Sequence, residues 1–174
     1  MRDRERELQH LVEFLRAINR GHDLSELTQT VLKYALSLVP QAQTGTFLVL
    51  NDEEGVFEYQ AAIGWDLERL SRIKIPKECI LQRQFAALGP AIVRDPQLLN
   101  RKFLPSEIAS ELETFPIAAF MTFPIRVEDE VIAYFNVDSQ DDPDAFTQAD
   151  LDCLEAVWEE ITLVVRAARA RRGL

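Results

Sequence analysis

Residues 115–157 read FPIAAFMTFPIRVEDEVIAYFNVDSQDDPDAFTQADLDCLEAV, and how this stretch divides decides the fold. Ile117–Ile125 and Val131–Val137 are rich in strand formers and flank the polar turn Glu128-Asp129-Glu130, so they are predicted to pair as an antiparallel hairpin. Four aspartates then fall within seven residues: Asp138, Asp141, Asp142 and Asp144. Thr147, with Asp150 three residues on, has capping-box spacing and predicts the start of a long helix. Its apolar stripe is Leu151, Leu154, Val157, Trp158, Ile161, Val164 and Val165, and its arginine-rich end suits the negative pole of the helix dipole.

Upstream of that stretch, Leu8, Leu11, Val12, Leu15 and Ile18 recur at helical spacing up to Gly21. Asp23 and Glu26 suggest a cap for a second helix carrying Leu24, Leu27, Val31, Leu32, Ala35 and Leu38 before Pro40. The period then becomes extended. Thr46–Leu50, the turn NDEEG and Val56–Ile63 read as another hairpin, closed by Gly64. Ile73 and Ile75 mark a strand that stops at Pro76, and Glu78–Leu88 is predicted helical up to Gly89-Pro90. Ala91–Val93 is a short strand before Asp95-Pro96, and a loop and a helix over about Pro105 to Glu113 lead to Pro116. Hairpins dominate and helices cover them, so the class is α+β with a mostly antiparallel sheet. Residues 1–22 read as a helical arm, 23–166 as the domain and 167–174 as a basic helix end.

At 174 residues the chain fits one domain with a single core. A net charge of −10 argues against the extended basic surface that a nucleic-acid backbone needs, so nucleic acid is not an expected partner. No apolar run reaches the ~18–20 residues that span a bilayer, and MRDRERELQH has no signal-peptide apolar region. A cytoplasmic protein off the membrane is expected. Two cysteines, Cys79 and Cys153, are too few for a disulfide scaffold or a four-cysteine zinc site.

Four stretches taken in order, TGTFLVLNDEEGVFEYQAAIG, RIKIP, LGPAIVRDP and the segment from Phe115 to Val157, resemble the GAF family of small-molecule sensor domains. The resemblance runs over roughly Leu24 to Arg166. It implies a GAF/PAS-like central antiparallel sheet with the N- and C-terminal helices on one face and a ligand pocket under connecting helices on the other. It also implies a regulatory role, commonly as a dimer joined through those terminal helices. A fold does not name its ligand.

The residues themselves narrow the chemistry. His10 and His22 lie on or between the first two predicted helices, far in sequence from either cysteine, and no G-x-S-x-G, P-loop or H-E-x-x-H is present. No catalytic group and no metal ligand is therefore assigned, and no enzyme is expected. The aspartate run lacks the Gly and Glu of an EF-hand loop in register, so it reads as turn and helix-start chemistry. Cyclic-nucleotide relatives pair a Lys before the last helix with an Asp on it; here the matching positions read Asp138-Ser139 and Ala149-Asp150-Leu151, with no lysine. Pro105–Phe115 lacks the cysteine a bilin would need, and no histidine falls in the pocket segments for haem. No cofactor is assigned. Cys79, opening a predicted helix, is a candidate for a lowered thiol pKa and redox sensing.

The expected function is a sensory or regulatory domain in signal transduction. It would bind an unidentified small molecule and signal through dimeric terminal helices to an output domain or partner such as a cyclase, phosphodiesterase or kinase. Candidate ligand contacts are Ile80, Leu81, Phe85, Arg94, Asp95, Thr122 and Asn136. Trp65, after Gly64, reads as a stacking lid or as core edge. Candidate contacts of the homodimer are Leu8, Leu11, Leu15, Ile18, Ile161, Val164 and Val165. Two alternatives stand beside it: a cysteine-based reductase on the same fold, and a ligand-free dimerisation module with its pocket packed shut.

Overall fold

The structure, a computed structural model, describes residue 5 and residues 24–171. Helix α1 (Leu24–Leu38) leads into the hairpin β1 (Thr44–Asn51) and β2 (Val56–Ile63). Asn51 shapes the connecting turn, its side-chain oxygen accepting from the Glu53 and Glu54 N–H groups at 3.1 and 3.2 Å. A single turn α2 (Leu67–Leu70), capped by Asp66, precedes β3 (Lys74–Pro76). Then come α3 (Leu81–Phe85), β4 (Ala91–Arg94), α4 (Pro96–Phe103) and α5 (Ser106–Leu112). The second hairpin, β5 (Ala119–Val127) and β6 (Glu130–Ser139), is followed by α6 (Gln148–Cys153) and α7 (Glu155–Arg171).

The described strands form one sheet in the order β3-β2-β1-β6-β5-β4, every pairing antiparallel. Both predicted hairpins are present, and the class is α+β. Strand alternation splits the core in two. On one face Phe47, Phe135 and Phe123 stand opposite one another on adjacent strands. The rings of Phe123 and Phe135 stack at 4.4 Å and 5°. Leu27, Val31, Leu32 and Ala35 of α1 and Val157, Ile161 and Val165 of α7 close over this row. Each of these large side chains contributes roughly 1.5–3 kcal/mol by leaving water. On the other face Leu48, Phe57 and Tyr134 pack with Leu70, Ile75, Ile80, Leu104 and Phe115 from the covering segments.

Three local differences from the sequence reading have physical causes. The helix predicted over Glu78–Leu88 is only α3, because Cys79 and Ile80 donate to the Pro76 carbonyl as a turn and Ile80, at the cap position, has no side-chain acceptor. It ends early at Ala86, which leaves the helical region with a φ of −126° and a ψ of 37° and is fully buried. The segment read as a loop before Pro105 contains α4, started by Pro96 in the first turn, where a missing N–H costs nothing. Its Leu99 and Phe103 pack on Leu81, Val93 and Phe120. The long last helix is interrupted at Leu154, whose N–H is shared between the carbonyls of Asp150 and Leu151. The predicted capping box is formed: Thr147 and Asp150 each accept the other's backbone N–H.

Leu8, Leu11, Leu15 and Ile18, the predicted N-terminal half of a dimer interface, and the side chain of Val164 lie outside the described residues. Ile161 and Val165 are 2% and 7% exposed within the chain's own core, because their positions on α7 face the sheet. Leu163, at 64%, points outward.

Candidate functional site

Between the second sheet face and its cover of α3, α4 and α5 lies a cavity of about 60 Å³. That is room for a few waters, and well below the ~300–1,000 Å³ of a drug-sized site. Its floor is polar because period-2 alternation sends Asn136 and Asp138 of β6 to this side, while Phe135 and Val137 go to the other. Thr46 of β1 stands opposite Asn136, and Thr44 opposite Asp138.

Asp138 is the central group. It is 1% exposed, and its Oδ2 accepts from Thr44 Oγ1 at 3.0 Å and from Trp65 Nε1 at 3.3 Å. Burial pushes its carboxyl up to about 7, against the opposing effect of the Trp65 and Thr44 hydrogen bonds. Among the described residues lining the cavity none is Lys, Arg or His, so the carboxylate has no cation beside it. The Tyr59 phenol shares the cavity and is raised well above its ordinary range, first by burial and then by the Asp138 charge.

Gly64 makes this arrangement possible. It has a φ of +80°, and a Cβ there would sit 2.6 Å from Thr44 Cγ2. The chain can therefore turn tightly against Thr44 and deliver Trp65 onto Asp138. Trp65 also meets Phe115 edge-on at 5.6 Å. Beside this centre Asn136 Nδ2 donates to Thr46 Oγ1 at 3.1 Å, and Gln82 of α3 reaches Asn136 Oδ1 at a long 3.5 Å. Gln82 is thus a polar link between the cover and the sheet. Chemically, the cavity presents acceptors and aromatic walls, so the groups it can pair with are hydrogen-bond donors.

The predicted ligand contacts divide. Ile80, Leu81 and Asn136 line the cavity. Thr122 is fully buried opposite Asn136, but it is not part of the lining and its hydroxyl has no partner. Phe85, the last residue of the short α3, is 45% exposed and does not line the cavity. Arg94 faces away, because Val93 takes the cavity side of β4, and it pairs with Asp144 at 3.4 Å. Asp95 is exposed in a left-handed turn, φ 50°, its N–H on the Ala118 carbonyl.

The aspartate run also divides. Asp141, Asp142 and Asp144 are exposed in the connection to α6, and Asp142 accepts the Asp144 N–H at 2.9 Å. Asp138 instead belongs to β6 and the cavity. The signal was present in the sequence: extending the Tyr134-Asn136 face by two residues reaches Asp138. Asp150 is committed to Thr147, accepting its N–H at 2.8 Å. Cys79 does not open a helix. It is half-buried, its Sγ lies 3.6 Å from the Pro76 carbonyl, and burial, followed by Glu78, pushes its thiol up rather than down. Cys153 is exposed on α6. Among the described residues no group of three or more His, Cys, Asp or Glu is placed to hold a metal ion, and no helix is long and apolar enough to cross a membrane.

The architecture recurs in solved structures. The GAF domain of a phosphoenolpyruvate-protein phosphotransferase from Coxiella burnetii is 15% identical, with a TM-score of 0.73 and 97% of each chain covered. The corresponding Acinetobacter domain is 16% identical, with a TM-score of 0.68 and 94% of each chain covered. The phycoerythrobilin-bound GAF domain of a cyanobacterial phytochrome is 11% identical, with a TM-score of 0.68, 95% of this chain and 97% of that one covered. At these identities the likeness is one of fold. No curated protein matches the chain. The GAF domain family model matches residues 21–166. With a helix-backed antiparallel sheet and a covered cavity on its other face, the chain belongs to the GAF domain family.

Proposed function

We propose that this GAF domain is a sensory module of signal transduction. It binds a small molecule in the covered cavity and passes the occupied state through the terminal helices to an output domain or partner. The observation that carries the reading is the buried, cation-free carboxylate of Asp138 on the cavity wall. A buried acid without a counter-charge is costly to the fold, and a donor-bearing ligand offsets that cost. Strand β6 supplies the transmission: Asn136 and Asp138 face the ligand, while Phe135 and Val137 lie in the core beneath α1 and α7. A ligand larger than a few atoms displaces α3 or α4, and the difference in affinity between closed and displaced forms biases the equilibrium.

The output in this reading is a homodimer whose helices shift. The apolar stripe Leu8, Leu11, Leu15 and Ile18 and the exposed Leu163 are its contacts. The raised Cys79 thiol works against the reductase alternative. The ligand-free dimerisation module keeps one observation in its favour, the small volume of the cavity.

The deciding experiment combines native mass spectrometry with a thermal-shift screen of amine- and amide-bearing metabolites, on wild type and Asp138→Asn. A ligand that stabilises the wild type and loses at least ten-fold in affinity for the variant is expected. A screen with no stabilising compound and no bound species in the mass spectrum would favour the ligand-free module.

A further inference from the structure

A second concavity, of about 350 Å³, opens at the hairpin end of the same sheet face. Leu50, Phe57 and Val131 supply apolar surface, and Lys77, Arg83 and Arg126 bring three cations to it. The ion pairs formed among the described residues use Arg72, Lys74, Arg94 and Arg101, and none includes these three. Two of them are held by neutral acceptors instead. Arg126 donates to the Ala87 carbonyl at 2.8 Å and to the Asp129 carbonyl at 3.2 Å, and Arg83 donates to the Lys77 carbonyl at 3.4 Å. Guanidiniums fixed through one or two of their five N–H donors keep the others for a ligand. Asp129 and Glu130 also line the groove, so its formal charge is about +1 in a chain that carries −10 overall.

We propose that this groove is a second binding site, for an organic anion with its phosphate or carboxylate head among Lys77, Arg83 and Arg126 and its apolar body on Leu50, Phe57 and Val131. Tyr134 lines the same groove, its phenol raised by burial to about 12 against the opposing charges of Arg83 and Arg126. The head group therefore meets three cations that line one concavity, two of them held in place by backbone carbonyls. The Arg126 carbonyl accepts from Arg166 Nε at 2.9 Å, which ties this groove to α7. An anion here has a route to the terminal helix separate from the central cavity.

The test uses the full chain, ¹⁵N-labelled, titrated with phenyl phosphate, benzoate, inorganic phosphate and phenol while amide resonances are followed. Phenyl phosphate or benzoate is expected to move amides within residues 77–88 and 126–134, and the better of the two identifies the head group. Inorganic phosphate binds more weakly, phenol leaves the amides unmoved, and added salt lowers the affinity. Arg83→Gln and Lys77→Gln, both in accessible segments, should each raise Kd about ten-fold, whereas Arg72→Gln, an exposed cation outside the groove, should leave it unchanged. The proposal is overturned by the absence of shifts at millimolar phenyl phosphate and benzoate. Unchanged Kd in both cation variants, or phenol binding as well as the anions, overturns it equally.

Discussion

Replacing Asp138 with Asn keeps an oxygen for the Thr44 and Trp65 donors and removes the titration. In the folded chain burial holds the Asp138 carboxyl at about 7; in an unfolded chain an aspartate titrates near 3.9. The folded state thus binds the proton more tightly, and stability must fall as pH rises between those values. Stabilisation from this group is fully present below about pH 4 and is lost as pH climbs through about 7. A difference of about 3 units at ~1.4 kcal/mol each gives about 4 kcal/mol. Asp138 is 1% exposed, so no solvent discount applies. Tyr59, the other ionisable group among the described residues that line the cavity, stays neutral throughout, and none of those residues is Lys, Arg or His. Urea denaturation of both proteins from about pH 4 to about pH 8 should show similar stabilities in acid. At the alkaline end the variant should be the more stable by about 4 kcal/mol. Parallel profiles, agreeing within about 1 kcal/mol at every pH, would refute the reasoning.

Three further substitutions test separate parts of the structure. Gly64→Ala places a methyl group against Thr44 at a φ of +80° and should cost about 2–3 kcal/mol in denaturant midpoint analysis; a loss below about 1 kcal/mol would show that the turn relaxes freely. Thr122→Val removes a buried hydroxyl that has no partner, so stability should hold or rise by up to about 1 kcal/mol, and a clear loss would reveal a bond to water at that site. Thr147→Ala breaks the capping box of α6 and should cost about 1 kcal/mol by the same assay, an unchanged midpoint counting against the cap.

The elements legible in the sequence are those whose pattern is local. Both hairpins show through period-2 alternation around polar turns, and the last helix through its stripe and the Thr147-Asp150 spacing. Helix α4 was not legible, because Asp95-Pro96 reads equally as a turn, and only the packing of Leu99 and Phe103 decides for a helix. The cavity was half legible. Ile80, Leu81 and Asn136 line it, whereas Arg94 and Asp95 fail on strand parity and a left-handed turn. Composition groups Asp138 with its acidic neighbours, although β6 runs on to Ser139 and parity puts it on the cavity wall. Its partners Thr44 and Trp65 lie 94 and 73 residues away in sequence, beyond the reach of any local pattern.

The pleat of β6 interleaves two separate sets of residues. Positions 134, 136 and 138 face the cavity and groove, and positions 133, 135 and 137 face the terminal helices. The cavity wall and the helix-packed core can therefore mutate independently, one residue apart. In the proposed sensory role, drift in ligand preference need not disturb a helical output, and such an output can be rewired without rebuilding the cavity wall.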